Sequence, residues 1–164
     1  MNINGMEIER KYMIAMPDAA FLKEIGYTEI VQTYLLGAEG STERVRKRGR
    51  AGNYAYTHTI KYKISNMSRR EDEHEISEEE YNELLNRADP DRIPIEKRRY
   101  CYEYAEKLWE IDVFPFWTDK AFMEIELGSE DEAIVFPPEI KVMRELTDDK
   151  RYTNAALAKH IPEE

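Results

Sequence analysis

Residues 6–13 read Met6-Glu7-Ile8-Glu9-Arg10-Lys11-Tyr12-Met13. Successive side chains of a β-strand point to opposite faces, so this stretch sets Glu7, Glu9 and Lys11 on one face and Met6, Ile8 and Tyr12 on the other. Only Arg10 interrupts the apolar side. Taken alone, the pattern describes a half-exposed strand with its charges in water. It recurs, however, along the chain. Arg44, Arg46 and Arg48 share a face, as do Lys61 and Lys63 after Thr57 and Thr59, and Arg69, Glu71, Glu73 and Glu75. Later, Lys97 and Arg99 pair at i, i+2. Glu110 and Asp112 lie opposite Trp109, Ile111 and Val113, and Glu124 and Glu126 opposite Met123, Ile125 and Leu127. Like charges side by side on a strand repel, and solvated faces normally intersperse signs, so stability alone does not select these faces. Something else compensates them.

Period-two segments are predicted at Met6–Met13, Glu29–Leu36, Thr42–Arg48, Tyr54–Lys63, Arg69–Ile76, Glu96–Tyr104, Lys107–Phe114, Phe122–Leu127 and Ile140–Leu146. Helices are fewer. One opens at Pro17-Asp18 and closes at Gly26; another follows the capping box Ser77-Glu78-Glu79-Glu80 and runs through Tyr81–Ala88 to the stop at Asp89-Pro90. Ser129 with Glu132 is expected to cap a third, and a last helix is expected from Thr153 to His160. The class is α+β, mainly β, and so many strands joined by short turns indicate an antiparallel barrel or sandwich.

The 164 residues suit one domain, 1–164, with no linker, repeat or low-complexity tract. Charged residues make up 35% of the chain, above the roughly 25% of ordinary domains, and the formal net charge is −10. An acidic chain disfavours non-specific nucleic-acid or acidic-lipid binding. No apolar run reaches the ~20 residues that span a bilayer, and the first residues lack a signal-peptide core, so the expected location is cytoplasmic. One cysteine, Cys101, excludes an internal disulfide or a thiolate zinc cage, and His58, His74 and His160 are scattered. Any metal site is therefore built from oxygen ligands.

The charged faces either point to water from a flat sheet or into the lumen of a closed barrel of about eight strands. A lumen lined this way must be wet, internally paired, or filled by a highly charged ligand with its cations. Basic side chains would grip a polyanion. Clustered carboxylates without His or Cys select hard ions such as Mg²⁺ or Mn²⁺, which carboxylates commonly share with substrate phosphates.

Glu7-Ile8-Glu9-Arg10-Lys11 resembles the N-terminal ExExK signature of the CYTH superfamily, the triphosphate tunnel metalloenzymes. The family's order continues with Glu43-Arg44-Val45-Arg46, Thr59-Ile60-Lys61, Arg69-x-Glu71-x-Glu73 and Lys97-x-Arg99-Tyr100. Trp109 to Phe114, Glu124-Ile125-Glu126-Leu127, and Glu145 through Asn154 complete it, so the resemblance spans about residues 6 to 158. It implies an eight-stranded antiparallel closed β-barrel with a few short helices outside. The implied metal set is Glu7, Glu9, Asp112, Glu124 and Glu126, supported by Glu71 and Glu73. Lys11, Arg44, Arg46, Lys61 and Arg99 look like the phosphate grip. Lys97, Lys63, Arg48 and Arg69 share their inward parity, and Lys63, outside the constant motif, is assigned an electrostatic role.

The implied activity is Mg²⁺- or Mn²⁺-dependent hydrolysis of a terminal phosphoanhydride in inorganic tripolyphosphate or a nucleoside triphosphate, giving orthophosphate and a diphosphate. Lys11, Glu7 and Glu9 are the expected catalytic residues, with Lys11 a ligand or general-acid partner of the terminal phosphate. A metal ion is expected to bridge triphosphate and carboxylates while a second ion or a carboxylate orients the water. Class IV adenylate cyclase, thiamine triphosphatase and a non-catalytic polyphosphate-binding module are the alternatives. The expected partner is a small triphosphate, with no nucleic acid or membrane, in a monomer or homodimer. Glu110 is expected to pair with a neighbouring arginine, Tyr100, Tyr102 and Tyr104 to form an outer packing stripe, and Cys101 to pack rather than react.

Overall fold

The computed structural model describes residues 6–37, 40–65 and 67–163, with side chains from Ile8 onward. The nine expected strands form: β1 Met6–Ala15, β2 Thr28–Tyr34, β3 Ser41–Arg50, β4 Asn53–Lys63, β5 Ser68–Ile76, β6 Ile95–Tyr104, β7 Lys107–Val113, β8 Lys120–Glu126 and β9 Val142–Glu145. They hydrogen-bond in the order β5-β4-β3-β2-β6-β7-β8-β1, and a β5–β1 pairing closes the ring into an eight-stranded antiparallel barrel. Closure is short. Along one edge β1 pairs with β8 from Glu9 to Ala15; along the other, Met6–Ile8 meet Arg70–Ser68 of β5 before Tyr12–Ile14 pair with β9.

Two hairpins are tight. Ala51 and Gly52 turn β3 into β4, and Ala105 and Glu106 turn β6 into β7, each pair with positive φ. Such two-residue turns match the right-handed twist of their strands. Gly49 is required for a different reason: an added Cβ would sit 1.9 Å from the Asn53 carbonyl oxygen.

Outside the barrel, helix α1 (Ala19–Ile25) ends at Gly26, whose φ is 81°, and helix α2 (Glu78–Leu84) starts on the capping box formed by Ser77 and Glu80. The outward alternates Tyr12, Ile14, Tyr100, Trp109, Ile111, Met123 and Ile125 pack with Leu22 of α1 and with Leu127 and Ile140. Phe21 meets Tyr102 edge-on, and Tyr102 stacks on Tyr104, which realises the outer tyrosine stripe. On the opposite side, Tyr81 of α2 packs with Leu35, Val45 and Ile76.

No helix forms at Ser129. Its hydroxyl donates to Asp131, and the Glu132 carboxylate accepts from the Gly128 backbone N–H, so this segment is a turn. The last helix, α3, is shorter than expected, Asn154–Leu157, and is capped by Thr153. A 3-10 turn, Lys150–Tyr152, precedes it. Together they close one end of the barrel. There the inward side chains change from charged to apolar: Met13, Tyr34, Ile95, Phe114 and Phe122 pack with Trp117, Tyr152 and Leu157. The polar interior therefore has an aromatic floor.

Candidate active site

Above that floor lies a cavity of about 910 Å³. It is lined by Glu9, Lys11, Arg44, Arg46, Arg48, Lys61, Lys63, Arg69, Glu71, Glu73, Lys97, Arg99, Glu110, Glu124 and Glu126, together with residues 146–150 and 153–155. The side chains that share one face of each strand thus meet in one lumen. The backbone of Glu7 pairs with Arg69, while its side chain lies outside the described residues. Asp112 does not line the cavity and is 1% exposed.

Strand order sorts the charges. β4, β3 and β6 carry Lys61, Lys63, Arg44, Arg46, Arg48, Lys97 and Arg99 on the inner face, with uncharged β2 between β3 and β6. β7, β8, β1 and β5 carry Glu110, Asp112, Glu124, Glu126, Glu9, Glu71 and Glu73. One half of the ring is basic and the other mainly acidic, with Lys11 of β1 and Arg69 of β5 as its inward cations. In the acidic half, Glu9 lies directly opposite Glu126 and Glu124 directly opposite Glu110. Directly opposed like charges cost stability unless a cation lies between them.

The signs meet at seams. Arg99 donates from Nε (2.8 Å) and Nη2 (2.9 Å) to the two oxygens of Asp112, and from Nη1 to Glu110 (3.1 Å). Lys97 Nζ lies 2.8 Å from Asp112 Oδ2 and donates to Asn154 Oδ1 at 2.9 Å. Burial alone would raise the Asp112 carboxyl, but Arg99 and Lys97 hold it well below the usual range. Burial lowers Arg99 less than Asp112 and Glu110 raise it. Burial also pulls the Lys97 ammonium down to about 7, helped by Arg99 and Arg46 against the pull of Asp112. Lys11 donates to the Tyr152 backbone carbonyl (2.8 Å) and stands 3.7 Å from Glu124, with its Nζ over the Phe122 ring. Burial lowers Lys11, and Glu124 and Glu9 oppose the shift.

The arginines of β3 stand apart from this pattern. Among the described residues, no carboxylate forms an ion pair with Arg44, Arg46 or Arg48, and the Arg44 Nε is buried without any hydrogen-bond partner. Arg46 is pulled down to about 9 by burial and by the like charges of Arg44 and Arg99, while remaining protonated at neutral pH. Across the lumen, burial would raise Glu73, but the Thr59 hydroxyl (2.7 Å), Arg46 and Arg44 hold it below its ordinary value. A buried, unpartnered guanidinium donor beside further cations is an anion receptor.

The acidic half offers only carboxylate oxygens, the donor set of a hard divalent ion. Among the described residues no three such groups converge into a cage.

Sequence reasoning missed the neutral members of the site. Gln32, Thr59 and Asn154 hold Arg46, Glu73 and Lys97, and the Tyr152 carbonyl holds Lys11. Uncharged side chains leave no sign pattern, although Gln32 does share its strand face with Tyr34.

A model of the CYTH domain matches residues 5–151. The chain belongs to the CYTH domain family. It is 35% identical over 160 residues to the inorganic triphosphatase of Nitrosomonas europaea, covering 95% of this chain and 99% of that protein. It is 32% identical over 158 residues to the inorganic triphosphatase of Acetivibrio thermocellus, covering 95% of each. Among solved structures, the crystal structure of an inorganic triphosphatase superposes with a TM-score of 0.59 at 32% identity, covering 96% of this chain and 97% of that one. A Pyrococcus horikoshii protein, 22% identical with a TM-score of 0.57 and covering 76% of this chain and 81% of its own, shares the CYTH fold.

Proposed function

We propose that this CYTH protein hydrolyses the terminal phosphoanhydride of a triphosphate, inorganic tripolyphosphate first among them, in a reaction that requires Mg²⁺ or Mn²⁺. The observation that carries the reading is the division of one lumen into a basic and an acidic half, with the Arg44 Nε buried and unpartnered on the basic side. The full-length likeness to two inorganic triphosphatases supports it.

In this reading Arg44, Arg46, Lys61 and Arg99, with Lys97 and Lys63 behind them, hold the phosphate oxygens and neutralise the roughly four charges of a triphosphate. Lys11, a cation set among the carboxylates of β1 and β8, faces the terminal phosphate and neutralises charge developing during transfer. Glu7, Glu9, Glu124 and Glu126 would hold the divalent ion, supported by Glu71 and Glu73 on β5, the strand that pairs with β1. When bound, that ion neutralises phosphate charge and lowers the pKa of a bound water. Asp112 works beneath the cavity, where both of its oxygens are engaged by Arg99 and Lys97. Phosphoryl transfer is mostly positioning and charge neutralisation, so no covalent intermediate is needed.

The test is a panel of tripolyphosphate, ATP, GTP and thiamine triphosphate with Mg²⁺ or Mn²⁺. Orthophosphate release, fastest from tripolyphosphate, is expected. Cyclic AMP from ATP would convert the reading to cyclase chemistry. Tight binding with no turnover of any substrate would make the protein a polyanion binder.

A further inference from the structure

β2 is the one strand of the ring whose described inward side chains, Thr28, Ile30, Gln32 and Tyr34, carry no charge. It sits between two basic strands, β3 and β6, where a carboxylate would gain Coulomb energy from both sides. Yet two of its inward groups, Gln32 and Thr28, are neutral acceptors placed on guanidiniums. Gln32, fully buried, accepts from both Nε (3.1 Å) and Nη2 (2.8 Å) of Arg46. Two residues further along β3, the Thr28 hydroxyl accepts from Arg48 Nε at 3.0 Å. A guanidinium has no acceptor, so the Gln32 amide oxygen must face Arg46. The amide nitrogen then donates to the Tyr34 hydroxyl (2.8 Å) and to Asn154 Oδ1 (3.2 Å), which leaves Gln32 held at both ends.

We infer that Gln32, with Thr28 as its counterpart at Arg48, is a positioning residue that fixes the phosphate-gripping guanidinium while leaving its charge uncancelled for the substrate. The contrast with Arg99 defines the role. Asp112 and Glu110 orient Arg99 by neutralising it, whereas Gln32 orients Arg46 and discharges nothing. Gln32 occupies the Nε and Nη2 edge, so the Nη1 edge of the fork remains for an anion. A glutamate at this position would hold the same edge more strongly and cancel the charge that attracts the triphosphate. This inference rests on the triphosphate reading of the lumen.

The test compares wild type with Gln32→Glu and Gln32→Met by thermal melting, calorimetric binding of tripolyphosphate, and kcat and KM for its hydrolysis. Gln32→Glu should melt no lower than wild type, because it adds a counter-charge to a cationic cluster. Its Kd and KM for tripolyphosphate should rise at least about tenfold, the loss of one charge-assisted contact. Gln32→Met keeps the Arg46 charge and loses its anchor, so it should melt lower and weaken binding less than Gln32→Glu does. A purely structural glutamine predicts the reverse ranking, and that ranking, or Gln32→Glu binding like wild type, overturns the inference. If Gln32→Glu does not fold, Thr28→Asp makes the same change at half-buried Arg48: weaker tripolyphosphate binding upholds the inference and unchanged binding overturns it. A wild type that neither binds nor hydrolyses tripolyphosphate removes the underlying reading and this inference together.

Discussion

The basic and acidic halves of the lumen keep their charges in different ways. On the basic side, Arg44, Arg46 and Arg48 meet neutral acceptors or, at the Arg44 Nε, nothing. On the acidic side, carboxylates face carboxylates across β1, β8 and β7. Ion pairs are concentrated at the β6–β7 junction of the halves, at Arg99 and Lys97 with Asp112, while Lys11 of β1 faces Glu124 within the acidic half. Seam residues thus stabilise the barrel, whereas the guanidiniums of β3 keep their charge uncancelled. Substitutions in the two places should therefore separate stability from activity.

The largest effect is expected at the seam. Asp112→Ala leaves Lys97 without its carboxylate and Arg99 with Glu110 alone, so denaturant unfolding should show a loss of about 3 kcal/mol. Arg46→Ala should do the opposite. It removes one of several crowded cations, so the melting temperature should hold or rise while kcat/KM for tripolyphosphate falls about 10- to 100-fold, the worth of a charge-assisted contact. A comparable loss of stability in both variants would erase the distinction between the regions.

The next prediction concerns Lys97, whose pKa falls to about 7 from an ordinary 10.5. Between those values the unfolded chain binds more protons than the folded protein, so this group makes stability rise with pH across that window. Its penalty is fully present below pH 7 and relieved towards 10.5. Lys97→Met should remove a slope of up to about 1 kcal/mol per pH unit, read by denaturant unfolding at pH 7, 8 and 9. An identical slope in both proteins would contradict the assigned burial effect. The smallest effect lies outside both halves: Ala105→Asn with Glu106→Gly relieves two positive-φ positions and should add about 1 kcal/mol or less with activity unchanged.

The strands and the inward parity were legible because period-two alternation and sign segregation reinforce each other. Glu9, Lys11, Arg44, Arg46, Lys61, Glu71, Lys97, Arg99, Glu124 and Glu126 all reach one cavity from the faces their spacing implied. The neutral strand was not legible, since Thr28 and Gln32 carry no sign and differ little from any polar residue in a sheet. Nor was the floor: Met13, Phe114 and Phe122 continue the charged faces as apolar residues, and only the fold brings Tyr152 and Leu157 onto them. At Ser129 the local helix signal failed because Glu132 is engaged by the Gly128 backbone. The Ala105-Glu106 turn lacks the Asn-Gly signature that usually announces such geometry.

The two halves of the lumen should act together on one anion and one kind of cation. The most direct test is the time course of orthophosphate release from inorganic tripolyphosphate by wild-type protein, with Mg²⁺ and with a chelator. One orthophosphate should be released per tripolyphosphate, with diphosphate left behind, and none once the metal is removed. Release that is absent with Mg²⁺ and Mn²⁺, or undiminished by the chelator, would contradict that joint action.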